Sequence, residues 1–194
     1  MLKLYIFFIA ILLSFIACKE NEKIILNKNQ FTIVPIDGFL GVKWGESIND
    51  VKAKLKDRSP NALKSPSDSP FDLMYFSGFE LLNTKISSVH FSFSSNGFSN
   101  SFAMFNNFSD SEAEQFLTSL ENSLTSKYGQ PYAKSNSLIA WQSKDSCSIS
   151  LSLSKNNISV FYENQKLYNE SKIEKDIYRQ EQEKIEAEKK NSDI

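Results

Sequence analysis

Cys147-Ser148-Ile149-Ser150-Leu151-Ser152-Leu153-Ser154 alternates apolar and hydroxyl side chains without a break. A β-strand sends successive side chains to opposite faces, so Cys147, Ile149, Leu151 and Leu153 share one face and the serines take the other. Asn156-Asn157 then turns the chain into Ile158-Ser159-Val160-Phe161-Tyr162, with Ile158, Val160 and Tyr162 on one face. Upstream, Ser137-Leu138-Ile139-Ala140-Trp141 reads as a third strand, joined across a turn at Lys144-Asp145. Strands separated by such short turns pair antiparallel.

A helix precedes this meander. Ser109 is placed to cap it, and Glu112, three residues on, completes a capping box. Ala113, Phe116, Leu117, Leu120, Leu124 and Tyr128 then fall on one helical face. Gly129 stands where a terminating glycine would, and Pro131 prevents continuation. The same order of elements occurs earlier. Phe39–Trp44 reads as a short strand, Ser47 as an N-cap, and Ile48, Val51 and Leu55 as the apolar face of a helix. Phe71–Leu82, with Gly78 a point where it can break, and Lys85–Ser94 follow as strands. Asn96-Gly97 is a hairpin signal of the type I′ kind, and Phe98–Phe108 is the returning strand. Between helix and strands, 57–70 (DRSPNALKSPSDSP) holds three prolines and reads as a long loop.

The pattern is helix–β–β–β twice. Neither unit alone could bury its helix and its sheet. The expected fold is therefore α+β: an antiparallel sheet with two helices packed on one face, plus a charged C-terminal helix. That last helix follows from Glu170–Lys190, which has thirteen charged residues and no Gly or Pro. Its apolar residues, Ile173, Ile177 and Ile185, are too sparse for a coiled-coil seam, so it reads as a solvated tail.

The 194 residues carry 22 Lys+Arg against 23 Asp+Glu, a net charge of −1, and only Arg58 and Arg179 are arginines. That balance argues against a nucleic-acid partner, which needs basic patches and bidentate guanidinium groups. A single histidine and two cysteines leave little for zinc sites or histidine-dependent catalysis. No Gly-x-Ser-x-Gly elbow, glycine-rich phosphate loop or Asp-rich calcium loop occurs. No cofactor and no metal are expected. His90 reads as an ordinary strand residue on the polar side of Val89, Phe91 and Phe93. Cys147 reads as a small core hydrophobe. Phe98, Phe102, Phe105 and Phe108 are spaced onto both faces of their strand. A strand apolar on both faces is either covered on both sides or exposes a patch, so these residues read as core packing or, alternatively, as a hydrophobic partner or ligand groove roofed by the 57–70 loop.

Lys3 followed by the apolar run Leu4–Ala17 has the form of a secretory signal peptide, too short to span a bilayer. Leu13-Ser14-Phe15-Ile16-Ala17-Cys18 resembles the lipobox of bacterial lipoproteins. The resemblance implies that Cys18 is acylated and becomes the mature N-terminus. Lys19, where an Asp would favour inner-membrane retention, implies an outer-membrane or surface destination in the cell envelope. The chain then divides into a signal peptide at 1–17, a lipidated tether at 18–30, an α+β domain at 31–163 and a charged helical tail at 164–194.

Gly41-Val42-Lys43-Trp44-Gly45-Glu46-Ser47-Ile48-Asn49-Asp50-Val51, and Lys127-Tyr128-Gly129-Gln130-Pro131 followed by Trp141 and two alternating strands, are a second point of resemblance. They are similar to motifs of the small BamE/SmpA-type lipoproteins of the β-barrel assembly machinery and of the tandem-repeat β-lactamase-inhibitory protein. Helix caps and turns mark a fold, so what the resemblance implies is architecture. Relatives of that architecture act by binding other proteins. The expected function is accordingly a membrane-anchored, non-enzymatic lipoprotein that serves as a protein-interaction or envelope-support module. Its partners would be membrane lipid, through acylated Cys18, and another envelope protein. The alternative is a small-ligand binder using a cleft between the sheet and the 57–70 loop.

Overall fold

A computed structural model describes residues 24–27, 29–58, 63–64, 70–75 and 78–192. The leader, Cys18 and much of the 57–70 loop lie outside the described residues. The chain enters as a two-residue edge strand, β1 (Ile25–Leu26). A small hairpin follows, β2 (Gly38–Phe39) and β3 (Val42–Lys43), turning at Leu40 and Gly41 with φ of 53° and 85°. The sequence reads one strand over Phe39–Trp44; the left-handed pair folds it back on itself instead. Ser47 caps α1 (Ile48–Leu55), its Oγ accepting the Asp50 N–H at 3.2 Å. Val51 and Leu55 are buried, and Ile48 packs partly against the same core.

Next come β4 (Leu63–Lys64), β5 (Asp72–Tyr75) and a second small hairpin, β6 (Glu80–Leu81) and β7 (Thr84–Lys85). The stretch Phe71–Leu82 is thus two strands, with Gly78, where the sequence allows a break, between them. The long strands β8 (Ser88–Ser94) and β9 (Gly97–Phe105) form the hairpin expected at Asn96-Gly97, but not through a type I′ turn. Ser94 lies opposite Gly97, the loop is Ser95-Asn96, and of these residues only Gly97 has a positive φ, 99°. A bulge between Ser92 and Phe93 absorbs the register shift. The glycine is required by a neighbour: a Cβ on Gly97 would lie 2.2 Å from the Gly45 carbonyl oxygen. That contact ties the hairpin to the lead-in of α1. Gly45 N–H donates to the Phe98 carbonyl at 3.0 Å, and Phe98 N–H to the Glu46 carbonyl at 2.8 Å. Trp44 stacks on Phe98 with ring centres 4.8 Å apart.

Helix α2 (Asp110–Tyr128) has the capping box that Ser109 and Glu112 announce, and it buries Ala113, Phe116, Leu117, Leu120, Leu124 and Tyr128. Gly129, at φ 88°, ends it. The Trp141 indole N–H donates to the Gly129 carbonyl at 2.8 Å, so one tryptophan both fills the core and ties down the helix exit. The rest of the chain is β10 (Ala133–Lys134), β11 (Leu138–Gln142), β12 (Cys147–Ser154), β13 (Asn157–Asn164) and α3 (Gln165–Ser192).

Among the described residues, nine strands form one antiparallel sheet in the order β1-β10-β11-β12-β13-β9-β8-β5-β4. Two meanders, β5-β8-β9 and β11-β12-β13, meet through their last strands, β9 and β13. The alternation then decides the faces. Val89, Phe91, Ala103, Phe105, Ile149, Leu151, Ile158 and Val160 are buried in one core with the apolar residues of α1 and α2. At roughly 25 cal/mol per Å² of apolar surface, that cluster is the main stabilising term.

Helix α3 follows β13 without a linker, Asn164 Oδ1 accepting the Leu167 N–H at 3.1 Å. The sequence reads this helix as solvated. From Arg179 to Lys190 it is exposed throughout, but its first half lies against β8, β9 and β13. Ser171 is buried and donates to the Phe93 carbonyl at 2.7 Å; Tyr168 meets Phe161 edge-on, and Tyr178 meets Phe71. Glu174 accepts from Ser95, and Glu170 from Asn96, at the β8–β9 turn. The charged side chains conceal this docking from a hydropathy reading, because the surface beneath them is itself polar.

Candidate functional site

The strand register lines up one polar side chain per strand across the second face of the sheet. Asp72 lies opposite Ser92, Ser92 opposite Asn100, Asn100 opposite Glu163, Glu163 opposite Ser148, and Ser148 opposite Gln142. The first four are buried, and the first half of α3 lies on this face. At the β5 end the row is knit together. Asp72 Oδ1 receives the Lys175 ammonium at 2.5 Å and the Ser92 hydroxyl at 2.8 Å, and Lys175 Nζ is 3.1 Å from Ser92 Oγ. His90 Nε2 lies 3.2 Å from the same oxygen, near enough for an ion pair but out of line for a well-formed hydrogen bond. Burial alone would raise the Asp72 carboxyl. The His90, Lys175 and Ser92 contacts and the Lys175 charge outweigh it and hold Asp72 well below the usual carboxylate range.

At the β13 end the row is not knit together. Glu163 is 5% exposed and its Oε1 has no partner. Burial pushes its carboxyl up to about 7. Such a group is costly when ionised and tolerable when neutral.

Ser92, His90 and Asp72 are the residue types of a hydrolase triad, but their order is wrong. A nucleophilic serine needs the imidazole between itself and the carboxylate. Here the carboxylate sits between serine and imidazole, so Ser92 donates to Asp72 and nothing draws its proton toward His90. Cys147 is on the core face, opposite to His90, buried and unpaired. Burial, then the Asp145 charge, pushes its thiol up to about 11, away from reactivity. The aromatic strand β9 divides as its alternation requires. Phe98 and Phe105 are in the core, while Phe102 is half-buried on the second face. Phe108, just past β9, packs at the edge of the core.

The next row on the second face, Met74, His90, Phe102, Phe161 and Ser150, is only half-buried. Open grooves also lie elsewhere among the described residues, away from this row. One of about 370 Å³ runs between Ile48, Phe71, Phe93 and the Asn96 turn. The other, about 690 Å³, is edged by Arg58, Phe79, Glu80 and Ile86. The candidate cleft under the 57–70 loop falls mostly outside the described residues, and only Pro70 of that loop edges the first groove. Cys18, the one site residue expected from sequence, also lies outside them. Among the described residues, no three His, Cys, Asp or Glu side chains gather as a metal site, and no helix is long and apolar enough to cross a membrane.

Sequence reasoning missed the Asp72–Ser92–Lys175 cluster. The period of two puts Ser92 on the polar face, but nothing local pairs residue 72 with residue 175. Fold and site define an α+β protein whose single large antiparallel sheet has an apolar face and a polar one. No protein-family model, no curated protein and no solved structure matches the chain.

Proposed function

We propose that this chain is a lipid-anchored extracytoplasmic protein that acts by contact rather than by catalysis, as an interaction or envelope-support module. The observation that carries the anchor is the stretch Leu13-Ser14-Phe15-Ile16-Ala17-Cys18 at the end of an apolar leader. Cys18 is its acylation site, and the cell envelope, at the outer membrane or surface, is its location. Two or more acyl chains on one cysteine hold a soluble body at a bilayer where one chain would not. In this reading the two helix–β–β–β units pack their helices on the apolar face, in the BamE/SmpA-like manner, and the charged α3 occupies part of the other.

The half-open row Met74-His90-Phe102-Phe161 beside α3 supports the contact role. It sets apolar side chains on a rigid sheet, where a partner protein could bury them. The test has two parts. Cells fed an alkyne-tagged palmitate should label the wild-type chain and not Cys18→Ala; equal labelling of both removes the anchor. A photo-cross-linking residue at position 102 should then capture one defined envelope protein, and the same residue at Lys189 should not. Capture at both positions alike removes the contact surface.

A further inference from the structure

Ile25, Leu26, Phe31, Ile33 and Val34 are 65%, 51%, 38%, 71% and 39% exposed. Five large apolar side chains within ten residues, all open to solvent, are unusual for a soluble surface. They are not on a loose end. Ile25 and Leu26 pair with Lys134 and Ala133, and Asn27 N–H donates to the Tyr132 carbonyl at 2.7 Å. Thr32 N–H donates to the Gln142 carbonyl and Ile33 N–H to the Tyr128 carbonyl, each at 2.9 Å. The Ile33 side chain passes over Gly129, where even a Cβ would lie 3.3 Å from its Cγ2. A fixed backbone therefore presents these side chains outward along the β1 edge of the sheet. An exposed apolar edge left uncovered invites aggregation.

Chain length says what covers it. Six residues lie between Cys18 and Ile25, so this stretch, fully extended, reaches at most about 25 Å. A body of this size is roughly 40 Å across. An anchor at Cys18 therefore holds the β1 edge within about 25 Å of the bilayer, while the opposite β5–β4 edge is free to stand farther off. We propose that the β1 edge rests on the membrane surface, with Ile25, Leu26, Ile33 and Val34 inserted among the headgroups. The lipid surface is thus the occupant of this patch. The inference rests on the acylation of Cys18 proposed above and adds an orientation to it. Within the tether, Lys19 and Lys23 are matched by Glu20 and Glu22, and Lys28 leaves a single net positive charge. The contact is accordingly apolar, and neither anionic lipid nor low salt is needed for it.

The test uses the full acylated chain reconstituted into phosphatidylcholine vesicles, with a nitroxide attached through Ile33→Cys or, separately, Leu82→Cys. Leu82 is also apolar and 43% exposed, but it lies in the β6–β7 turn on the β5 side of the sheet. At position 33 collisions with oxygen should rise and collisions with a water-soluble nickel chelate should fall severalfold relative to position 82, at low and high salt alike. Equal, water-like accessibility at both positions in protein that floats with the vesicles overturns the orientation and leaves the anchor standing. Protein that neither floats nor carries acyl mass at Cys18 overturns both.

Discussion

Phe91, Ile149, Leu151 and Val160, on one face of the sheet, belong to the same buried apolar cluster as Val51 and Leu55 of α1 and the apolar residues of α2. On the other, Asp72, Ser92, Asn100 and Glu163 lie beneath a helix made largely of Lys, Glu and Asp. The two faces are stabilised by different means. The first cover is held by non-directional apolar burial and is insensitive to pH. The second is held by a few directed polar contacts whose worth depends on protonation. A substitution should therefore act on the two faces with different size and, at one position, with opposite sign.

The largest effect belongs to the apolar face. Phe91 is fully buried, with Tyr75 and Phe98 rings 5.9 and 5.5 Å from its own. Phe91→Ala should cost about 3–5 kcal/mol in denaturant titration, equally at pH 5 and pH 8. A loss under 1 kcal/mol would mean that this face is not the principal core. On the polar face, Asp72→Asn should cost about 2 kcal/mol near neutrality, because it leaves the Lys175 ammonium beside neutral groups. The figure is below that for a fully buried pair, since the Lys175 side chain is 30% exposed. Asp72 is depressed in the folded state. Its contribution is therefore present above pH 4 and is lost as pH falls further, so acid should erase the difference between Asp72→Asn and wild type. Adding Lys175→Met to Asp72→Asn should recover part of the loss; strict additivity would show that the pair is not coupled.

Glu163 supplies the reversed sign. Its carboxyl is raised, so the folded state is unpenalised below pH 4.5 and loses stability as pH climbs to about 7. Glu163→Gln should change little at pH 4 and stabilise by about 2 kcal/mol at pH 8, less than the whole shift because a buried amide also lacks partners. Equal stability of variant and wild type at pH 8 would show that Glu163 finds a proton donor or water when ionised.

The same contrast explains how far the sequence could be read. The apolar face repeats every two residues in strands such as Cys147–Ser154 and every three to four in α2, so local periodicity names its members. Ser109 and Glu112 announce a helix start because both bonds of the cap close within three residues. Two readings failed where a distant neighbour intervened. Asn96-Gly97 is not a type I′ turn, because Gly97 serves to let Gly45 approach. The charged helix is not wholly solvated, because the face beneath it offers Asp72 and the Phe93 carbonyl as partners. Polar contacts 78 and 103 residues apart in sequence leave no periodic trace. The proposed acyl site is the reverse case. It is legible in a short motif and lies outside the described residues.

The smallest effect concerns the helix itself and tests where its hold lies. From Arg179 to Lys190 every residue of α3 is exposed, and the i,i+3 pair of Arg179 with Asp176 lies on the surface, where such pairs contribute little. Ending the chain after Gln180 should therefore shift stability by less than about 0.5 kcal/mol. Ending it after Asn169 removes Ser171 and Lys175 together, leaving the Phe93 carbonyl without its donor and Asp72 without its cation. That truncation should cost at least about 2 kcal/mol, mostly above pH 4, and should speed amide exchange along β8 and β9. If both truncations cost the same, the distal half must hold the helix in place, and the polar row would be incidental to its docking.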